Sequence, residues 1–225
     1  MCGRFTLSYK ADELQLSLGL TDTPTGMEPR YNIAPTQAIP AILNGKERKI
    51  DFLYWGLVPS WAKDITIGSK MINARSETIM EKPSYKTAFQ RRRCLILADG
   101  FYEWKKSKQK KSSTPFYFQL KDRSVFALAG IYEIWQPPEG GELWSGSVIT
   151  CAANDLVSPI HERMPVVLDR ETMWSWLDDI PVNELVTMMA PYNPEKMIKT
   201  EVSTRVNSAN FDSPECIAPV KNMIG

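Results

Sequence analysis

The chain opens Met1-Cys2-Gly3-Arg4-Phe5, which puts a cysteine directly after the initiator methionine. Initiator methionine is removed when the next residue is small, so the mature chain is expected to begin at Cys2. A cysteine in that position carries two nucleophiles on adjacent carbons, a thiol and an α-amine. The thiolate is strongly nucleophilic. The α-amine, with an ordinary pKa of about 7.7–8.0, is partly neutral near physiological pH. Two reactions follow from the pair. In one, the thiol attacks an amide and the amine serves as its base, which is N-terminal-nucleophile hydrolysis. In the other, the amine attacks an aldehyde to give a Schiff base and the thiol closes a five-membered thiazolidine. The second product is stable, so it suits capture rather than turnover. Taken alone, Met-Cys-Gly is as compatible with an ordinary small residue near a terminus.

Three other places supply groups that such chemistry would use. The chain has one histidine, His161, in the polar stretch Ser158-Pro159-Ile160-His161-Glu162-Arg163-Met164-Pro165. Imidazole is the side chain that titrates near neutrality, so His161 suits a general acid or base; a lone histidine is more often structural. In Asp99-Gly100-Phe101-Tyr102-Glu103-Trp104, strand alternation puts Glu103 on one face with Phe101 and puts Tyr102 and Trp104 on the other. A partly buried carboxylate beside an α-amine would assist its proton transfers. In Ile72-Asn73-Ala74-Arg75-Ser76-Glu77-Thr78, Asn73 suits hydrogen bonding at a reacting centre and Arg75 suits a phosphate. The plainer reading is a strand-to-helix connection capped by Ser76.

The elements that must position these residues are mostly strands. Residues 4–7, 38–43, 51–57, 94–98, 115–120, 125–134 and 146–152 are short, apolar and rich in β-formers. Helical patterns run over 11–18, 83–91, 170–178 and 182–190, with Asp169 placed as an N-cap. Residues 21–29 read as a loop, 136–142 as a turn, and the Lys-rich run 105–111 as a solvated hairpin turn. The pattern predicts one α+β domain over 2–225, with a largely antiparallel, barrel-like β core and peripheral helices.

Composition narrows the function class. With 27 basic and 26 acidic residues the net charge is +1, so no global attraction to nucleic acid exists and DNA binding would need a local basic patch. The first 20 residues hold no long apolar run of the signal-peptide kind, and no stretch reaches a membrane span. The four cysteines lack metal-like spacing. A reduced, cytoplasmic, monomeric protein without metal or cofactor is expected, meeting the nucleoid when it acts on DNA.

Six segments together resemble the SRAP family (SOS response-associated peptidase-like, abasic-site processing proteins). They are Met1-Cys2-Gly3-Arg4-Phe5, Arg30-Tyr31-Asn32-Ile33-Ala34-Pro35, Trp55-Gly56-Leu57-Val58-Pro59-Ser60-Trp61, and the three motifs around Asn73, Glu103 and His161. The resemblance runs along nearly the whole chain. It implies that Cys2 forms a thiazolidine with the ring-opened sugar of an abasic site in single-stranded DNA, shielding the lesion. It implies that Asn73 helps hold the site, that Glu103 assists at the α-amine, and that His161 assists opening of the sugar. Arg75 and Arg163 would bind phosphates, Asn32 and Trp61 would line the DNA path, and Thr150 would neighbour the active site. A Schiff-base stage also permits β-elimination, a lyase activity, and autoproteolytic loss of Met1 would be a peptidase activity.

Two other readings compete. Glutamine amidotransferases also begin Met-Cys-Gly, although the Arg and Asn-Gly substrate motifs of those enzymes have no counterpart at comparable positions here. A non-enzymatic DNA-binding module with an incidental Cys2 is the third.

Overall fold

The computed structural model describes residues 2–45, 47–106 and 113–220. Thirteen strands run in the order β1 Phe5–Leu7, β2 Arg30–Ile33, β3 Ala38–Leu43, β4 Asp51–Trp55, β5 Asn73–Arg75, β6 Arg93–Ala98, β7 Gly100–Lys105, β8 Thr114–Leu120, β9 Phe126–Trp135, β10 Leu143–Ala152, β11 Arg163–Pro165, β12 Val167–Leu168 and β13 Met197–Glu201. Three short helices accompany them, α1 Ala11–Leu18, α2 Pro83–Arg91 and α3 Val182–Met188.

The strands form two sheets. One is open and five-stranded, in the order β13-β8-β7-β1-β2. The other closes on itself: β10 pairs β4, β4 pairs β3, β3 pairs β6, β6 pairs β9, and β9 returns to β10. That ring is a small barrel, with β5 and β11 extending it from β10 and β12 extending it from β9. Pairing is antiparallel except where β10 meets β4 and β5. The expected α+β class, with a largely antiparallel barrel-like core and peripheral helices, is the architecture observed.

Closure explains the burial pattern. Every residue of β6 is buried, because one face fills the barrel and elements cover the other. One of these is Arg93, whose guanidinium donates to the carbonyls of Phe89 (3.1 Å), Gln90 (2.9 Å), Trp176 (2.8 Å) and Asp178 (2.8 Å). Two of those carbonyls lie at the end of α2, where helix geometry leaves them without a partner in the helix. A buried cation thus ties α2 to the barrel.

Helix α1 begins where the Glu13 carboxylate accepts the Lys10 backbone N–H (2.8 Å) and ends at Gly19, whose φ of 61° is left-handed. It buries Leu14 and Leu18. Strand β4 stops at Trp55 rather than running to 57. Gly56 sits at φ 138° and packs so closely on Gly68 that a Cβ there would lie 2.5 Å from the Gly68 carbonyl oxygen.

Two expectations are corrected. Residues 170–178 form turns and one 3₁₀ segment, Trp174–Trp176, rather than an α-helix. Asp169 does cap, accepting from the Thr172 N–H (3.1 Å), but Arg93 takes the carbonyls of Trp176 and Asp178, so tertiary partners replace helical ones. Residues 73–75 are a strand of their own, followed by turns. Ser76 caps no helix, and its N–H donates to the Thr150 carbonyl (2.9 Å). Of the Lys-rich run, Lys105 closes β7 and Lys106 follows it; Lys108, Lys110 and Lys111 lie outside the described residues.

Candidate active site at the start of the chain

Strand β1 sits between β7 and β2 in the open sheet, and its first residues bring Cys2 against β7. Phe5 pairs with Phe101, and the Tyr102 N–H donates to the Arg4 carbonyl (3.0 Å). Extending that register sets Gly3 opposite Glu103. Alternation along β7 then sorts the neighbours as the sequence predicted. Phe101 packs with Cys2 and Phe5 in the main core, while Tyr102 belongs to a second apolar cluster with Tyr117, Val206 and Cys216.

Cys2 is wholly buried. The Asn73 Nδ2 donates to the Cys2 carbonyl (2.9 Å), and this bond brings β5 to the chain start. The Asn73 Oδ1 is buried and has no partner among the described residues, so an acceptor stands open beside Cys2. Burial pushes the Cys2 thiol well above its ordinary range, and the Glu103 carboxylate raises it further. Glu103 is 2% exposed, and burial lifts its carboxyl from 4.5 to about 7, against a lowering by the charge at the amino terminus. His161 is half-buried; burial lowers its pKa, and the same terminal charge lowers it further. Glu103 and His161 thus both feel the charge at the start of the chain. The arrangement offers two nucleophiles, a carboxyl group able to exchange protons near neutrality, and one imidazole.

His161 follows a compact turn in which Asn154 Oδ1 accepts the N–H groups of Leu156 (3.1 Å) and Val157 (3.0 Å). The His161 N–H donates to the Val157 carbonyl (3.0 Å). Its Nδ1 accepts the Arg163 N–H (3.0 Å), which places the neutral ring's proton on Nε2. Thr150, wholly buried on β10, pairs with Pro165 across β11 and with Arg75 across β5. It therefore lies behind both the His161 and the Asn73 segments.

The residues expected to meet DNA divide. Trp61 is 64% exposed and Arg75 is exposed, so both present themselves to solvent. Trp61 rims a cleft of about 160 Å³ with Pro59, Ser84, Thr87, Arg92 and Glu133. Asn32 and Arg163 do not present themselves. Asn32 is fully buried on the face of β2 opposite Ile33, and its Nδ2 donates to the carbonyls of Val206 (3.1 Å), Ser208 (2.9 Å) and Phe211 (2.7 Å). Its Oδ1 accepts from Arg4 Nη1 (2.7 Å). Asn32 braces the second cluster, away from Glu103. Arg163 is 9% exposed and is held by Glu77, a residue that sequence reasoning passed over. The two are 86 positions apart, and no local spacing signals their pairing.

Clefts of about 560 Å³, beside Lys121, Asp169 and Tyr192, and of about 460 Å³, beside Phe52, Tyr54 and Trp144, contain none of the reactive residues. Chemistry rather than cleft size singles out the start of the chain. Among the described residues, no group of three His, Cys, Asp or Glu side chains could hold a metal ion, and no helix is long and apolar enough to cross a membrane.

Comparison with known proteins gives the family. The model of a family described as SOS response associated peptidase (SRAP) matches residues 1–209. Abasic site processing protein YoqW of Bacillus subtilis is 43% identical over 222 residues, which cover 96% of this chain and 99% of that protein. Abasic site processing protein HMCES of Gallus gallus is 33% identical, over 98% of this chain and 78% of that protein. A crystal structure of a protein from Bacteroides thetaiotaomicron superposes with a TM-score of 0.88 at 27% identity, covering 97% of this chain and all of that one.

Proposed function

Because this chain belongs to the SOS response associated peptidase (SRAP) family, we propose that it processes abasic sites in single-stranded DNA by bonding to them covalently through Cys2. Hydrolysis of the Met1–Cys2 bond releases methionine and frees the Cys2 α-amine. The abasic sugar opens as its anomeric hydroxyl proton passes through water to the ring oxygen, to which His161 Nε2–H donates a hydrogen bond, leaving an aldehyde. The amine attacks the aldehyde carbon, and Glu103 takes the amine proton and returns it to the departing hydroxyl, so that water leaves and an imine forms. The thiol then adds to the imine carbon and its proton passes to nitrogen, closing the thiazolidine. One water is released overall and no redox partner is needed.

The order follows from electrostatics. The thiol is held protonated by burial and by Glu103, so the amine attacks first. Loss of a proton from the sugar carbon next to the imine, with departure of the 3′ phosphate, would give the lyase outcome; thiazolidine closure competes with it.

The observation that carries this reading is the Glu103 carboxyl, buried and poised near pH 7 where it feels the chain's amino terminus. The test mixes purified protein with an oligonucleotide holding one abasic site, followed by a denaturing gel and intact mass. A shifted band at protein plus DNA minus water is expected, absent in Cys2→Ala. Fully processed protein that gives no band refutes the proposal. Cys2-dependent release of ammonia from glutamine, or cleavage of an added peptide, would favour the amidohydrolase reading instead.

A further inference from the structure

Arg163 is the first residue of β11, opposite Ala152 of β10, and its side chain turns back under that sheet. Its Nη1 and Nη2 donate to the two carboxylate oxygens of Glu77, at 2.5 and 3.0 Å. Nη2 also donates to the Thr150 carbonyl (2.6 Å). Arg163 Nε is buried without a partner among the described residues. The guanidinium is thus clamped by one bidentate carboxylate and by the carbonyl and hydroxyl (3.3 Å) of Thr150, a geometry that fixes it in plane. The Arg163 hydrogen bond is also the main cause that holds the Glu77 carboxyl below its usual range.

The backbone of the same residue fixes the histidine. An N–H can donate only to an unprotonated ring nitrogen, so the Arg163 N–H at 3.0 Å makes Nδ1 the acceptor. The Arg163 carbonyl is 3.2 Å from the same Nδ1 and would accept only if that nitrogen carried the proton. Which partner Nδ1 meets depends on where the first residue of β11 sits.

We propose that Glu77 and Arg163 are positioning residues, which together hold His161 in the tautomer that carries its proton on Nε2. Without Glu77 a nearly buried cation keeps only the carbonyl and hydroxyl of Thr150 and no counter-charge, a costly state that is relieved when the arginine moves. That movement displaces the Arg163 N–H from Nδ1. The charges acting on the ring itself are those of the amino terminus, Glu162 and Lys106, none of which needs to change. The tautomer claim stands by itself; its consequence for the sugar rests on the abasic-site reading.

A chain with one histidine makes the ring directly readable. Proton–nitrogen correlation spectra of the DNA-free protein, taken above the ring's titration, report the tautomer. Wild type is expected on the Nε2–H form, Glu77→Ala on a mixture, and Glu77→Gln between them. Glu77 is half exposed in its side chain, so the fold should survive these changes, and Glu77→Gln keeps one hydrogen bond if Glu77→Ala does not fold. Crosslinking to an abasic oligonucleotide should slow by about tenfold or more in Glu77→Ala, through loss of the oriented Nε2–H donor to the sugar oxygen. Affinity for an oligonucleotide with a tetrahydrofuran analogue, which has no aldehyde, should stay within about twofold. A wild-type tautomer in Glu77→Ala overturns the inference. So does a loss of analogue affinity that matches the loss of rate, because phosphate binding would then be the role. Absence of any crosslink in wild type would remove the abasic-site reading, and the spectra would still decide the tautomer.

Discussion

At Glu103 a carboxyl group is 2% exposed and stays protonated up to about pH 7 instead of 4.5, chiefly through burial. Between those two values the folded protein holds a proton that the unfolded chain has lost. The stabilising contribution is complete below 4.5, falls as pH rises, and is gone above about 7. The shift corresponds to roughly 3 kcal/mol. Glu103→Gln removes the buried charge, so its urea midpoint should exceed that of wild type near pH 8 and match it near pH 4. The same substitution should lower the crosslinking rate and leave only the rise set by the α-amine's own titration at about 7.7–8.0, because the part near pH 7 reports a carboxylate accepting the amine proton. A wild-type pH profile in Glu103→Gln would remove Glu103 from the chemistry. Glu103 was legible in the sequence because strand alternation sorts it from Tyr102 and Trp104. Asn32 and Glu77 were not. Alternation puts Asn32 opposite Ile33, but only the fold shows that carbonyls of residues 206–211 cover that face. The partner of Glu77 is remote in the chain.

The strands β1, β7 and β8 act together to set Cys2 against Glu103. At the turn into β7, Asp99 accepts from the Thr6 and Ser8 hydroxyls and from the Ser8 N–H (2.9 Å), and Thr6 Oγ1 lies 3.0 Å from the Tyr117 hydroxyl. The Tyr117 ring crosses over Gly100 so closely that a Cβ there would lie 2.2 Å from it. Gly100→Ala must therefore push β7 away from β8. It should destabilise by about 1–3 kcal/mol in urea unfolding, as overpacking does. It should also slow crosslinking, since β7 carries Glu103. In a Tyr117→Ala background the added methyl has room, so the double-mutant cycle should show strong coupling; additive costs would mean the clash is not the cause. The helices α1 and α2, each spanning about two turns of periodic sequence, matched their sequence patterns. The short strands β2, β5, β11, β12 and β13 went unread, because two to five residues carry too little periodicity and their existence depends on partners far along the chain.

Across the whole molecule, 27 basic and 26 acidic side chains nearly cancel, and ion pairs engage several of the arginines: Arg30 with Asp212, Arg92 with Glu133, Arg163 with Glu77, Arg205 with Glu215. Arg75 and Trp61 remain at the surface. A single strand that approaches over Trp61 and Arg75 meets one broad indole and one guanidinium, and it gains as much from stacking as from charge. Reversible affinity for the tetrahydrofuran oligonucleotide should then depend weakly on salt. Two or three phosphate contacts, at about 0.7 in slope each, give a fall of roughly 7- to 20-fold between 50 and 200 mM salt. Arg75→Ala should flatten the slope by about one contact, whereas Trp61→Ala should lower affinity and leave the slope alone. Final crosslink yield should be nearly independent of salt, because covalent closure turns a brief encounter into permanent occupancy. A slope of the size made by six or more phosphates would place a basic surface elsewhere, with the Lys-rich run 105–111 as the segment to test by neutralising substitutions.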